Sequence, residues 1–303
     1  MTERASAPGA NPTHLNGAIA ALEAGRHVFA SFSPADPGSA QAFAPGPYDA
    51  VVFEMEHNPY DVRALRDSLQ YLLDRKAIAE RGNVAPIVTP MVRIPANGSE
   101  MTQWLAKQVL DAGVYGVIWP HVSTVDEARN AVAACRYPRP PSAVAYDPPG
   151  LRGDGPFGAA RYWGVDVEEY YARADAWPLA PGGDVLVVIM CEEVKAIRNL
   201  PQMLEQVPGI GLVLIGEGDL SQDLGHPRAY EHPEVEAAIA EVLAICTDAG
   251  VPAGIPHVTP QNVVKRIEQG FRWLMPNPGR TNGAVDIGKA HIAELAKGSE
   301  ATQ

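Results

Sequence analysis

VLVVIMCE, residues 185–192, and GLVLIGEGD, residues 211–219, share one construction: an unbroken apolar run that leads into a carboxylate. Apolar runs of this length read as strands buried on both faces, which belong to parallel sheets covered by helices. An acid just past such a strand sits at the rim where α/β barrels and open α/β sheets carry out their chemistry. Glu192 and Asp219 on adjacent strand ends would repel one another unless a positive charge lay between them. A hard divalent cation such as Mg²⁺ is the simplest candidate, because it prefers carboxylate oxygens and leaves coordination positions for substrate.

Working outward from these two runs, strand-like and helix-like segments alternate. Before them come strands in HVFASFS (27–33), YDAVVFEME (48–56), APIVTPMVRI (85–94) and VYGVIWP (114–120). After them come VPAGIPH (251–257) and FRWLMPN (271–277). Between them lie amphipathic stretches. Val62, Leu65, Leu69, Leu72 and Leu73 form one stripe, and Val235, Ile239, Val242, Leu243 and Cys246 form another. TVDEARNAVAACR begins with a Thr cap and an acidic first turn. VTPQNVVKRIEQG predicts a helix opened by Thr259 and stopped by Gly270, and IGKAHIAELAKG predicts a final helix. Eight strand–helix repeats make a (β/α)₈ TIM barrel the expected α/β fold. No Gly-rich dinucleotide loop follows the first strand, which disfavours the doubly wound alternative. Residues 1–13 read as a flexible tail and 14–303 as one barrel domain. The Pro- and Gly-rich stretch from about 137 to 183 forms a long loop that is a packed excursion, a lid or a subunit contact, and part of it, VDVEEYYARADAW (165–177), reads as helical.

Composition narrows the function classes. The chain has 303 residues, 46% of them hydrophobic, and a net charge of −12, which argues against nucleic-acid and anionic-membrane partners. Three cysteines without CxxC spacing predict no disulfide framework and fit a reducing cytoplasm. The N-terminus has no apolar signal segment, and no run reaches membrane-span length.

A census of the strand ends gathers the chemistry. Strand two ends in Glu54, Glu56 and His57, strand three in Arg93, strand five in Glu192 and strand six in Asp219. Each has an ordinary structural explanation alone. Their joint placement on successive strand ends is the pattern of a barrel active site. His121 follows strand four, and Arg280 follows strand eight and could bind a distal carboxylate. Cys191 adjoins Glu192 but faces the other way along the strand, so it is expected to be buried and inert.

At these residues the chain resembles the HpcH/HpaI aldolase (citrate lyase β-like) family. FEMEHNPYD (53–61) is similar to its acid–Glu–His–Pro segment, and PMVRIPANG (90–98) to its strand-three arginine motif. GVYGVIWPHVSTVDEARNAVAACRYPRPP (113–141), EEVKAIRNL (192–200) and IGEGDLSQDLGHP (215–227) follow in the family order. The resemblance runs from about residue 15 to 275. It implies a class II enzyme that cleaves or forms 4-hydroxy-2-oxo acids through a metal-bound pyruvate enolate. The implied cofactor is Mg²⁺, Mn²⁺ or Co²⁺ on Glu192 and Asp219, with no organic cofactor. Arg93 would bind the keto oxygen. His57, helped by Glu54, would handle protons, and N–H groups from Gly216 through Gly218 to Asp219 would hold the substrate carboxylate. Arg152, in GLRGDG, resembles the family's RG loop motif and would meet substrate or a neighbouring subunit. The implied partners are a 2-oxo acid and an aldehyde within a homo-oligomer, a hexamer or trimer, with the last helix exchanged between subunits.

Four positions depart from the family pattern. Glu54 stands where Asp is usual, Met55 where Gly is, Met190 where Gln is, and Glu217 where Pro is. They preserve the metal pair and bear on the substrate. The aromatic residues of the long loop suggest a larger or more hydrophobic acceptor. The alternatives to an aldolase are an oxaloacetate-type decarboxylase or macrophomate-synthase-like metal–enolate lyase, and a non-catalytic barrel.

Overall fold

The computed structural model describes residues 14–277 and 282–300. Eight parallel strands form the barrel wall: β1 Val28–Ser33, β2 Ala50–Glu54, β3 Thr89–Arg93, β4 Gly116–Trp119, β5 Val185–Cys191, β6 Leu212–Ile215, β7 Ala253–Val258 and β8 Trp273–Pro276. Each pairs with its sequence neighbours, and β1 pairs with β8 to close the ring. All eight predicted strands are present, trimmed at their ends.

The alternation of strand side chains divides the core into two layers. Val28 and Ala30, Ala50 and Val52, Met91, Ile118, Leu186 and Val188, Leu212 and Leu214, and Trp273 and Met275 fill the barrel. The intervening residues, Val51 and Phe53 or Val187, Ile189 and Cys191, pack outward under the helices. Helix Gly17–Glu23 plugs one end of the barrel with Ala18, Ile19 and Leu22. Its cap is Asn16, whose side-chain oxygen accepts from the Ala18 and Ile19 amides while its amide donates to the Tyr115 and Asp184 carbonyls. That ties the first helix to the bottoms of β4 and β5.

The sequence pattern misses short surface helices. Pro37–Phe43 buries only Ala40, and Arg75–Arg81 buries nothing, so neither shows a periodic apolar stripe. The helix expected to open at Thr259 begins at Val263 instead. The Thr259 amide donates to the Asn262 side chain at 2.7 Å, which makes 259–262 a turn.

The long loop packs against its own barrel. It contains helices Phe157–Trp163 and Val167–Arg173 and a two-residue strand, Ala176–Trp177, that pairs with β5. Trp163 stacks on Tyr115 with centroids 4.2 Å apart, and its indole N–H donates to the Gly113 carbonyl at 2.8 Å. The final helix, Gly283–Glu300, buries Ala284 and Val285 against its own barrel, and Lys289 donates to the Pro47 carbonyl. No described helix is long and apolar enough to cross a membrane. Residues 1–13, read from sequence as a tail, and Arg280 lie outside the described residues.

Candidate active site

The period-two alternation that fills the barrel also places its chemistry. Counting up from interior residues 50 and 52 reaches Glu54; from 91, Arg93; from 186 and 188, Met190 and Glu192; from 212 and 214, Gly216. The site is the next interior layer above the apolar core, where the barrel opens. Phe32, His57, Arg93, Glu192, Gly216 and Asp219 line one pocket of about 230 Å³ there.

Glu192 is buried, with 1% of its side chain exposed. The His121 amide donates to its Oε1 at 2.7 Å, and His121 Nε2 lies 4.0 Å from the same oxygen. His121 has φ 48, and its Nδ1 lies 3.3 Å from Glu193 Oε1. Asp219 enters from the first turn of helix Glu217–Asp223, where a negative charge suits the helix dipole. Ligand atoms of His121, Glu192 and Asp219 all lie within 4.8 Å of one another. Burial raises the Glu192 carboxyl to about 7, opposed by His121. Burial by itself would lower His121, but Glu192, Asp219 and Glu193 together raise it above an ordinary histidine.

These donors suit a divalent cation. Among the described residues, no Lys or Arg ion-pairs with Glu192 or Asp219, so their charge is left for an ion to compensate. Gly216 keeps that space open, since a Cβ there would run into the Glu192 carboxylate. Its own amide donates to the Cys191 carbonyl at 3.1 Å, so this glycine serves the site by its lack of a side chain. Gly218 lines the same pocket with open space beside it. A second His–His–Glu group, His226, His232 and Glu234, lies away from the mouth pocket, on the segment leading into helix Pro233–Asp248.

Arg93 is gripped from two sides. Its Nε donates to Glu54 Oε2 at 2.7 Å and its Nη2 to the same oxygen, while Nη1 lies 2.9 Å from Glu56 Oε2. The guanidinium sits 4.5 Å from the centroid of the Phe32 ring, and Nη1 is 3.8 Å from Met190 Sδ. Met190, where the family resemblance suggests an amide, therefore packs against the arginine. Burial raises the Glu56 carboxyl, against the pull of Arg93 and His57.

The expected partnership of Glu54 with His57 takes a different form. Glu54 Oε1 accepts from the backbone amides of Glu56 at 2.7 Å and His57 at 3.3 Å, which shapes the turn after β2. The carboxylate beside the imidazole is Glu56, 3.6 Å from His57 Nε2, and the His57 side chain is 68% exposed.

Arg152 does not join the site. Its buried guanidinium donates to Asp111 at 2.8 Å and to the Tyr170 hydroxyl at 2.7 Å, and it lies over the Tyr137 ring at 4.3 Å. It pins the long loop to helix Gln103–Ala112. No residue of that loop lines the mouth pocket, so its aromatic rings do not shape an acceptor site there. Cys191 lies beneath the outer helices, where burial pushes its thiol well above the ordinary range.

Among the polar residues of the mouth, sequence reasoning misses Arg228, Tyr230 and His257. The first two lie on the segment following helix Glu217–Asp223, where no pattern marks them. For His257 there is a signal, Pro256 inside the strand run AGIPHV, since proline within a sheet favours edges and bulges.

A family profile described as HpcH/HpaI aldolase/citrate lyase matches residues 29–272. The chain is 33% identical to a pyruvate aldolase of Rhizobium etli over 267 residues, covering 88% of this chain and 87% of that one. It is 32% identical to a 4-hydroxy-2-oxo-heptane-1,7-dioate aldolase of Shigella boydii, covering 84% and 86%. A crystal structure of an HpcH/HpaI aldolase/citrate lyase family protein from Burkholderia cenocepacia J2315 superposes with a TM-score of 0.68 at 27% identity, covering 92% of this chain and 95% of that one. With the profile matching most of its length and the barrel shared, the chain belongs to the HpcH/HpaI aldolase/citrate lyase family.

Proposed function

We propose that this protein is a divalent-metal-dependent carbon–carbon lyase that cleaves or forms 4-hydroxy-2-oxo acids, with pyruvate as the nucleophilic partner. The observation that carries the reading is that Glu192 and Asp219 share one pocket with Arg93, with a His121 ring nitrogen within 4.8 Å of both carboxylates. Breaking the bond beta to a 2-oxo group leaves an enolate, and an acidic mouth cannot stabilise that anion unaided. Mg²⁺, Mn²⁺ or Co²⁺ held by Glu192 and Asp219, with His121 beside them, would supply Lewis-acid polarisation of the 2-oxo carbonyl.

The chain's own groups do the rest. Arg93, held in place by Glu54 and Glu56, presents its guanidinium to the keto oxygen and stabilises the charge that develops there. The N–H groups of Gly218 and Asp219, at the opening turn of their helix, hold the substrate carboxylate. His57, with Glu56 beside it, exchanges a proton with the 4-hydroxyl, taking it on cleavage and returning it on addition. Its exposure places it on the solvent side, where an aldehyde would enter and leave. Three free, buried cysteines fit a reducing cytoplasm. A homo-oligomer, hexameric or trimeric, belongs to the same reading.

The deciding assay is pyruvate release from a 4-hydroxy-2-oxo acid with and without chelator. Release that persists in chelator removes the metal from the reading. Faster CO₂ release from oxaloacetate at equal enzyme would make decarboxylation the principal activity.

A further inference from the structure

Strand β7 carries an irregularity beside the mouth. Ile255 lies opposite Leu274 and Val258 opposite Pro276, so Pro256 and His257 together face the single residue Met275. That is a bulge, a device that re-aims a side chain. Regular alternation would turn His257 outward with Ile255, but the bulge brings it to the mouth pocket instead. His257 has φ 51, a conformation that costs a non-glycine residue free energy unless its surroundings hold it.

Its surroundings do hold it. His257 Nδ1 lies 2.9 Å from Glu217 Oε2, and Glu217 is 2% exposed. The other Glu217 oxygen accepts from Arg266 Nη2 at 3.2 Å. The Tyr230 ring stacks on the imidazole, with centroids 4.7 Å apart and planes 12° from parallel. A carboxylate only accepts, so Nδ1 is the donor, and Nε2 is left for a ligand. On its far side His257 borders a second cavity of about 880 Å³, also lined by Arg228, Tyr230, Lys265 and Arg266. Glu217, Arg228, Tyr230 and His257 belong to both spaces.

We propose that His257 determines specificity by binding a hydroxyl group of the aldehyde partner, and that the adjoining cavity receives the rest of that molecule. This rests on the aldolase reading above. With the ring neutral, Nε2 accepts a hydrogen bond; with the ring protonated, it donates one. A hydroxyl satisfies both states, whereas a carboxylate satisfies only the second and a methyl group neither. The cavity's lining sets three cations, Arg228, Lys265 and Arg266, against three anions, Glu217, Glu231 and Glu236. Arg266 bonds to both Glu217 and Glu236, and Lys265 lies 2.7 Å from Glu236. That lining offers hydrogen bonds without a strong net field, which suits a neutral hydroxylated chain. Glu217, which stands where the family resemblance suggests proline, acts as the positioning residue.

The test uses the full chain loaded with Mg²⁺, Mn²⁺ or Co²⁺ and two isosteric aldehyde pairs, glycolaldehyde with propanal and 3-hydroxypropanal with butanal. Each aldehyde is added to pyruvate and kcat/KM is measured. The unsubstituted enzyme should favour the hydroxylated member of at least one pair by about tenfold or more. His257→Gly takes up the positive φ without strain, so it isolates the imidazole. It should abolish most of that preference and leave deuterium exchange at C3 of pyruvate within about twofold of the unsubstituted rate. His257→Asn, which tolerates the same φ and keeps a polar group, should retain part of the preference. No preference in the unsubstituted enzyme, or one unchanged in His257→Gly while exchange is intact, overturns the proposal alone. Absence of exchange in the unsubstituted enzyme with all three metals overturns the aldolase reading, and this proposal with it.

Discussion

Glu192 and Asp219 depend on a neighbour with no side chain. Gly216 leaves the volume in which the Glu192 carboxylate sits, so Gly216→Ala should displace that carboxylate and weaken metal binding at least tenfold, read by titrating activity against Mn²⁺. Glu192→Gln or Asp219→Asn should remove nearly all turnover, and an unchanged rate in chelated buffer would end the metal reading. Arg93→Ala should cut kcat by on the order of a hundredfold or more, since a charge-stabilising donor is lost; full kcat would leave Arg93 a structural partner of Glu54 and Glu56. At this scale the sequence identifies which residues matter better than what they touch. Glu54, Glu56, His57, Arg93, Glu192 and Asp219 were all legible as strand-end groups. That Glu56 lies beside the His57 imidazole, while Glu54 shapes the turn and holds Arg93, depends on side-chain directions that a list of strand ends does not contain.

Elements were legible wherever burial imposed a period. The long apolar runs became β5 and β6, and the stripe at Val62, Leu65, Leu69 and Leu72 became helix Val62–Leu72, capped by Asp61. Surface helices carried no such period. Apart from the helix-like VDVEEYYARADAW, which became helix Val167–Arg173, the stretch at 137–183 read as irregular because its order comes from polar and aromatic contacts between residues far apart in sequence. Arg152 is central to them, joined to Asp111 and Tyr170. Arg152→Ala should therefore destabilise the protein by about 3–5 kcal/mol, as breaking a buried ion pair does, read by denaturant unfolding. Its kcat at a temperature where it stays folded should match the unsubstituted enzyme, because no atom of Arg152 lines the mouth; a large kcat loss would return it to the substrate.

For the whole molecule, collecting acids at one mouth costs stability when no cation is present. The Glu192 carboxyl lies at about 7 in the folded protein, raised from 4.5. Between those values the folded chain holds a proton that the unfolded chain has released. Stability from this group is therefore greatest at low pH and falls as pH rises through that window, by on the order of 3 kcal/mol. In chelator, Glu192→Gln should lack that decline, so its melting temperature should gain on the unsubstituted protein between pH 5 and 8; parallel profiles would show that Glu192 does not carry it. Added Mn²⁺ should raise the unsubstituted melting temperature at pH 8 and leave that of Asp219→Asn nearly unmoved. By itself the sequence determined the barrel, its eight strands and the acids and arginine at its rim, because buried parallel strands demand apolar runs and the chemistry follows at their ends. Only the tertiary structure decided that His121 lies beside Glu192, that Arg152 belongs to the packing, and that a bulge delivers His257 to the mouth. Those three outcomes are set by backbone direction and by contacts across the barrel, and neither leaves a period in the chain.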